Sequence, residues 1–208
     1  MTEYLVPAGA GEAEFTEKRS RFLGHVRPVR SEEEARDFIA AMKKEYYDAR
    51  HNCWCYALRG GPERYSDDGE PQGSAGLPML EVFRREGVSN FVCVVTRYFG
   101  GVLLGTGGLL RAYTRSARDA LAAAGLAALR PWTRLELRCS YAALERMKQE
   151  LAAFEGVVEE ADYGAAVILR ALVPSQRCDA FRERVFDLSG GAVSPCVLGE
   201  TERPVPLP

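Results

Sequence analysis

The residues best placed to do chemistry in this 208-residue chain cluster between Arg97 and Arg111. A glycine-rich turn, Phe99-Gly100-Gly101-Val102-Leu103-Leu104-Gly105-Thr106-Gly107-Gly108, joins a β-branched run, Phe91–Tyr98, to a helical pattern from Leu109 to about Ala124. A strand–turn–helix junction of this kind aims backbone N–H groups and the positive end of a helix dipole at one spot, which suits an anion. Gly100 and Gly105 have the gap of a P-loop, but Thr106-Gly107 stands where Lys-Ser/Thr is required. Gly105-Thr106-Gly107-Gly108-Leu109-Leu110 falls short of a dinucleotide fingerprint, because Leu110 replaces the last glycine. The competing reading is conformational: the glycines only permit a tight turn under a close-packed helix. Arg97 and Arg111 flank the turn as counter-charges, and Tyr98 or Phe99 offers a ring on which a base can stack. Arg115 and Arg118 follow Arg111 on one helical face, where an Arg115–Asp119 pair at i,i+4 fits a solvated surface instead.

A second cluster is acidic: Ser66-Asp67-Asp68-Gly69-Glu70-Pro71. Asp67, Asp68 and Glu70 are numerous enough to hold Mg²⁺ or to divide acid and base roles. Asp-Gly and Pro are also turn formers, and carboxylates before a helix satisfy its first N–H groups. That second role, or the clamping of an arginine, is the reading preferred here. His51 and His25 are the only imidazoles, and no nucleophile motif accompanies either. His51, Cys53 and Cys55 share one face of an extended segment. However, residues four apart in a strand are separated by ~13 Å, too far for one zinc. No metal and no cofactor are expected.

These groups must be carried by recognisable elements. Glu12–Glu17 and Phe22–Val29 read as strands. Ser31 with Glu34 forms a capping box for a helix that turns Ala35, Phe38, Ile39, Met42 and Tyr46 to one side. Asn52–Leu58 reads as a buried strand, Arg59–Gly73 as a polar loop, and Leu77–Glu86 as a helix ending at Gly87. The helix after the glycine turn places Leu110, Tyr113, Ala117 and Leu121 together and stops at Gly125. Beyond Pro131 the order is strand (134–139), helix, strand (157–163), strand (165–173), helix capped by Ser175, and strand (192–198). That βαββαβ order is the ferredoxin-like signature. The expected organisation is α+β, with domains at 1–130 and 131–199 and a proline-spaced loose tail at 200–208.

A hydrophobic fraction of 47% and a charged fraction of 27% exclude a disordered or low-complexity chain. No apolar run approaches a membrane span, and the first residues do not read as a secretory signal. Six cysteines, mostly inside apolar runs, fit a reducing compartment, so a cytoplasmic location is expected. The formal net charge is −2. It divides into 18 basic and 17 acidic residues over 1–130, against 9 and 12 over 131–208. Neither half has the broad positive field of a non-specific nucleic-acid binder, so such a role requires a local patch.

The chain resembles the IMPACT/YigZ family. The resemblance is carried by Ser20-Arg21-Phe22, Asp48-Ala49-Arg50-His51-Asn52-Cys53 and Ser66-Asp67-Asp68-Gly69-Glu70-Pro71. It continues in Gly73-Ser74-Ala75-Gly76-Leu77-Pro78, Arg97-Tyr98-Phe99-Gly100-Gly101, Leu104-Gly105-Thr106-Gly107-Gly108-Leu109 and Arg111-Ala112-Tyr113. It implies a first domain of the ribosomal-protein-type βαβ fold, as in the fourth domain of elongation factor G. The second domain would be like that factor's ferredoxin-like fifth domain. Eukaryotic members regulate translation by competing for the activator of a starvation-response kinase, through an additional N-terminal domain for which this sequence shows no counterpart. For bacterial members the resemblance suggests RNA or ribosome association.

Two functions are therefore expected to compete. The first is a non-enzymatic, translation-regulatory module that binds RNA or a ribosome-associated partner. It would use Arg97, Tyr98, Phe99, Gly105, Thr106, Gly107, Gly108 and Arg111, with Asp67, Asp68 and Glu70 orienting arginines. The alternative is a small-molecule phosphate- or nucleotide-binding enzyme whose acidic loop holds Mg²⁺.

Overall fold

In the computed structural model, which describes residues 4–207, the chain divides into two units: 4–128 with 204–207, and Leu129–Arg203. The larger unit contains β1 (Tyr4–Pro7), β2 (Gly11–Glu17), β3 (Ser20–Pro28), α1 (Glu32–Glu45), β4 (His51–Ala57) and β5 (Glu63–Ser66). It continues with α2 (Gly76–Arg85), β6 (Phe91–Tyr98) and α3 (Thr106–Ala124). Then follow β7 (Leu126–Cys139), α4 (Tyr141–Ala153), β8 (Val157–Tyr163), β9 (Val167–Pro174), α5 (Cys178–Leu188) and β10 (Cys196–Pro206). With five helices and antiparallel sheets the protein is α+β.

The first sheet has the order β2-β3-β6-β4-β5, each pair antiparallel. Side chains alternate across it, as the period of two requires. Phe91, Cys93 and Val95 of β6 join Phe22, Cys53 and Cys55 under Met79, Phe83, Tyr113 and Ala117 of α2 and α3. Val92 and Val94 face the other way and pack with Tyr56 against Ala35 and Ile39 of α1. A central strand buried on both faces explains why Phe91–Tyr98 reads as a continuous apolar run. The capping box of α1 forms: Ser31 Oγ accepts from Glu34 N–H at 3.1 Å, while Glu34 reaches back to Arg30 N–H at 2.8 Å.

The second sheet runs β1-β7-β9-β8, with β10 on β7. Leu135, Leu137, Leu169 and Ala171 pack beneath Leu144, Met147, Phe181 and Val185 of α4 and α5. The opposite face carries cross-strand ion pairs instead. Arg134 meets Glu159 at 2.6 Å, and Arg170 meets Glu136 at 3.2 Å and Glu160 at 2.7 Å.

Several sequence expectations shift. The stretch expected as a loose tail from residue 200 belongs to β10. Thr201, Arg203 and Val205 are half-buried in alternation, Arg203 lies 5.2 Å over the Trp132 ring, and Leu207 N–H donates to Leu126 C=O at 2.9 Å. Pro204 and Pro206 fall on the exposed positions of that alternation, where a strand tolerates proline. The last strand accordingly covers Cys196–Pro206 rather than 192–198. Strand β7 begins at Leu126 and passes through Pro131, and β1 and β5 form where no strand was read. Ser175 opens a short 3₁₀ turn and pairs its hydroxyl with Thr133 at 2.9 Å rather than capping α5. Helix α3 starts three residues before Leu109 and buries Leu109 and Ala112, leaving Leu110 exposed.

Candidate functional site

The same alternation that buries Val95 turns Arg97 towards α2 and α3. Arg97 is only 5% exposed, so its charge needs a partner inside the fold. Glu70, itself buried, supplies it: Arg97 Nη1 donates to Glu70 Oε1 at 2.7 Å. The Tyr113 hydroxyl donates to the same oxygen at 2.8 Å, and burial holds that phenol well above its usual pKa. Arg97 Nη2 lies 3.4 Å from Ser20 Oγ, which also accepts from Gly100 N–H at 3.2 Å. A Cβ on Gly100 would overlap the Arg19 carbonyl, so the glycine is required for this close approach. The guanidinium carbon lies 5.6 Å from the Phe22 ring centroid and 5.5 Å from that of Phe99. The Arg97 Nε is buried and, among the described residues, has no hydrogen-bond partner.

His51 and Arg97 are register partners on β4 and β6 and share one wall. His51 Nδ1 sits 2.9 Å from the Asp68 carbonyl oxygen. A carbonyl can only accept, so Nδ1 carries the proton and Nε2 is left facing Glu70 Oε2 at 4.0 Å. Above this wall α3 begins. Gly105 is its N-cap at φ +71°, with no side-chain cap, and Leu109 N–H closes on Gly105 C=O at 2.9 Å. The N–H groups of Thr106, Gly107 and Gly108 therefore have no partner within the helix.

These elements enclose a cavity of about 380 Å³ lined by Arg50, His51, Glu70, Arg97, Phe99, Leu104, Gly105 and Thr106, with Leu103 at its edge. A second depression of about 240 Å³, lined by Phe15, Glu17, Lys18, Gly108, Arg111 and Arg115, shares Leu104 with the first. Two basic hollows thus flank one uncapped helix start. Chemically, this arrangement offers several N–H donors, cations and apolar rings to a ligand with separated negative groups.

The expected site residues separate on this frame. Gly105, Thr106 and Phe99 line the first cavity, with Phe99 40% exposed. Gly108 and Arg111 line the second, and Gly107 lies in the first turn of α3. Arg97 is not the free counter-charge expected of it, because it shares the inward face of β6 with Val95 and Glu70 neutralises it. Tyr98, the next residue in a strand, lies on the opposite face of the sheet. Its hydroxyl donates to Asp48 at 2.8 Å and Arg21 stands 6.0 Å over its ring, so it does not join Phe99.

The acidic loop is structural in two of its three members. Asp67 Oδ1 accepts from Ala75 and Gly76 N–H, and Oδ2 from Gly73 N–H, at 2.8–3.0 Å. This carboxylate caps the start of α2. Asp68 pairs with Lys43 at 2.6 Å and accepts from Asn52 N–H at 2.7 Å, fastening α1 to β4. Cys53 and Cys55 point into the core, and burial raises both thiol pKa values. Among the described residues, no three His, Cys, Asp or Glu side chains are grouped to hold a metal.

Sequence reasoning missed Ser20, Lys18, Arg50 and Leu103, and it set His51 aside. The signal that unites His51 with Arg97 is the β4–β6 register, and that pairing joins segments more than forty residues apart.

An Impact N-terminal domain model matches residues 18–121, and a domain of unknown function, DUF1949, matches 137–192. The chain is 35% identical to "IMPACT family member YvyE" of Bacillus subtilis, over 92% of this chain and 89% of that protein. It is 34% identical to "IMPACT family member YigZ" of Escherichia coli, over 96% and 100%. A solved structure titled "Crystal structure of an hypothetical protein" superposes with a TM-score of 0.61 at 34% identity, covering 95% of this chain and 98% of that one. The residues around the glycine turn lie inside the first matched domain, and the chain belongs to the IMPACT family.

Proposed function

We propose that the chain is a cytosolic, non-enzymatic module that binds single-stranded RNA associated with the translation apparatus and so regulates translation. The observation that carries this reading is the pair of basic hollows meeting at the start of α3, joined through Leu104. A polyanion presents phosphates at intervals, and this surface offers cations at intervals: Arg50 on one side, Lys18 and Arg111 on the other, while Arg115 is paired with Asp119 at 3.2 Å. Phe99 supplies a stacking ring beside them.

The domain folds that the family resemblance implies fit this role. In the larger unit, one sheet with α1 on one face and α2 and α3 on the other is consistent with the fourth-domain type of elongation factor G. In the smaller unit, the order β10-β7-β9-β8 with α4 and α5 on one face is consistent with a ferredoxin-like domain. The rival enzyme reading loses its Mg²⁺ ligands, since Asp67 and Asp68 are already engaged with backbone N–H groups and Lys43.

Fluorescence anisotropy with a 12-nucleotide single-stranded RNA tests this. Affinity is expected to fall as salt rises from 50 to 300 mM, with a log–log slope of about −2 to −3 for three or four neutralised phosphates. Arg50→Ala/Arg111→Ala should weaken binding at least tenfold and flatten the slope by about 1.4. Salt-independent binding, or a double variant that binds like wild type, contradicts the reading.

A further inference from the structure

We infer that the cavity between β4, β6 and the acidic loop receives the 2′,3′-cis-diol of the 3′-terminal ribose of an RNA strand, held by Glu70 and His51. This deepens the RNA reading above and rests on it. The observation that carries it is a pair of facing acceptors with no donor of the described residues between them. The Glu70 side chain is 3% exposed and lines the cavity. Its Oε1 accepts from Arg97 and Tyr113, whereas its Oε2 accepts no hydrogen bond among the described residues. Facing Oε2 at 4.0 Å is His51 Nε2, which the contact of Nδ1–H with the Asp68 carbonyl leaves as a lone-pair acceptor. A carboxylate oxygen held this deep without a donor is costly, so this part of the cavity suits a ligand that donates.

The surroundings select the kind of donor. Arg97 already balances the Glu70 charge, and Arg50 stands on the same wall. A ligand cation would add positive charge beside two arginines, and an anion placed here would meet the carboxylate. Neutral hydroxyls avoid both penalties. Two are needed, since each carries one proton and there are two acceptors. The adjacent hydroxyls of a cis-diol, each donating over about 2.8 Å, can serve acceptors 4.0 Å apart. In RNA only the 3′-terminal ribose has both hydroxyls free, whereas an internal ribose offers its 2′-hydroxyl alone. Phe99, 40% exposed, and Leu103, 83% exposed, form an apolar rim. The terminal base stacks on that rim while its sugar reaches Glu70 and His51. From there the strand continues past Leu104 towards Lys18 and Arg111.

The test uses one 12-nucleotide RNA ending in adenosine, made with four terminal sugars: ribose, 2′-deoxyribose, 3′-deoxyribose and 2′,3′-dideoxyribose. Each strand, and free adenosine, is measured against the full-length protein. Removing either hydroxyl is expected to weaken binding about fivefold or more, and removing both about twentyfold or more. In His51→Ala, one of the two single removals should cost less than twofold while the other keeps its effect. A His51→Ala variant that weakens all four strands by one common factor gives His51 a structural role only and overturns the assignment. Arg111→Ala should weaken all four strands alike and leave the dependence on the terminal sugar intact. Adenosine, lacking contacts to the second hollow, should bind about a hundredfold more weakly than the ribose-ended strand. If the four strands bind within twofold of one another while salt and Arg111→Ala still matter, diol recognition is overturned and the RNA reading stands. If no strand binds, both fall. Adenosine that binds as tightly as the ribose-ended strand overturns the RNA-end assignment in favour of a free nucleoside.

Discussion

At the scale of single residues, the site is organised by one buried charge. Arg97 is held in place by Glu70, Ser20 and two aromatic rings, and Glu70 in turn accepts from Tyr113. Removing one partner of a buried ion pair leaves the other uncompensated, which costs more than the pair contributes. Glu70→Gln is therefore expected to destabilise the fold by about 3 kcal/mol in urea unfolding. Tyr113→Phe, which removes one hydrogen bond to a charged group, should cost about 1.5 kcal/mol. A Glu70→Gln variant within 0.5 kcal/mol of wild type would show that Arg97 does not depend on this partner. The sequence reading makes Arg97 a counter-charge beside the glycine turn and the acidic loop a clamp for an arginine; in the fold Glu70 of that loop holds Arg97. A cation at the end of an apolar strand looks accessible when the strand's inward face is unknown.

At the scale of elements, the acidic loop and the glycine turn are both devices for starting a helix, with opposite outcomes. Asp67 accepts from Gly76 N–H at the start of α2 and from Gly73 and Ala75 N–H in the segment leading into it, whereas Gly105 leaves the first N–H groups of α3 without a side-chain cap. Asp67→Ala should cost about 2 kcal/mol, at the upper end for a lost cap because three donors are orphaned. Added Mg²⁺ should leave the melting temperature of wild type unchanged, since this carboxylate is already occupied. A magnesium-dependent rise abolished by Asp67→Asn would contradict that assignment. Local signals made much of this readable: the Ser31–Glu34 box, the β-branched run of β6 and the stop at Gly125 all appear in the chain itself. What was not readable depends on distant partners. Strand β5 is four residues, Glu63–Ser66, three exposed and Ser66 half-buried, that exist as a strand only because β4 is beside them. Strand β10 hides behind alternating prolines for the same reason. The cavity needs the register of β4 on β6, which no local pattern encodes.

At the scale of the whole molecule, charge and burial assign different roles to the two units. The smaller unit neutralises its open sheet face with cross-strand pairs, Arg170 meeting both Glu136 and Glu160, and residues 131–208 have three more acidic than basic residues, against one more basic than acidic over 1–130. The larger unit balances its charges almost evenly yet leaves Arg50 and Arg111 beside the helix start. A formal charge of −2 is thus compatible with a confined site for phosphate. Burial also predicts thiol behaviour: five of the six cysteines are buried and only Cys196 is exposed. Burial raises the thiol pKa values of Cys53, Cys55, Cys139 and Cys178, which keeps them protonated and unreactive. Iodoacetamide at pH 8 should label Cys196 alone in the native protein and all six after unfolding. Labelling of Cys53 or Cys55 under native conditions would show that the core opens. The central claim, RNA binding at the start of α3, is tested most directly by amide chemical shifts during titration with a 12-nucleotide single-stranded RNA. The Thr106, Gly107 and Gly108 amides should show the largest changes. Binding that leaves these three amides unmoved while shifting others would contradict the account.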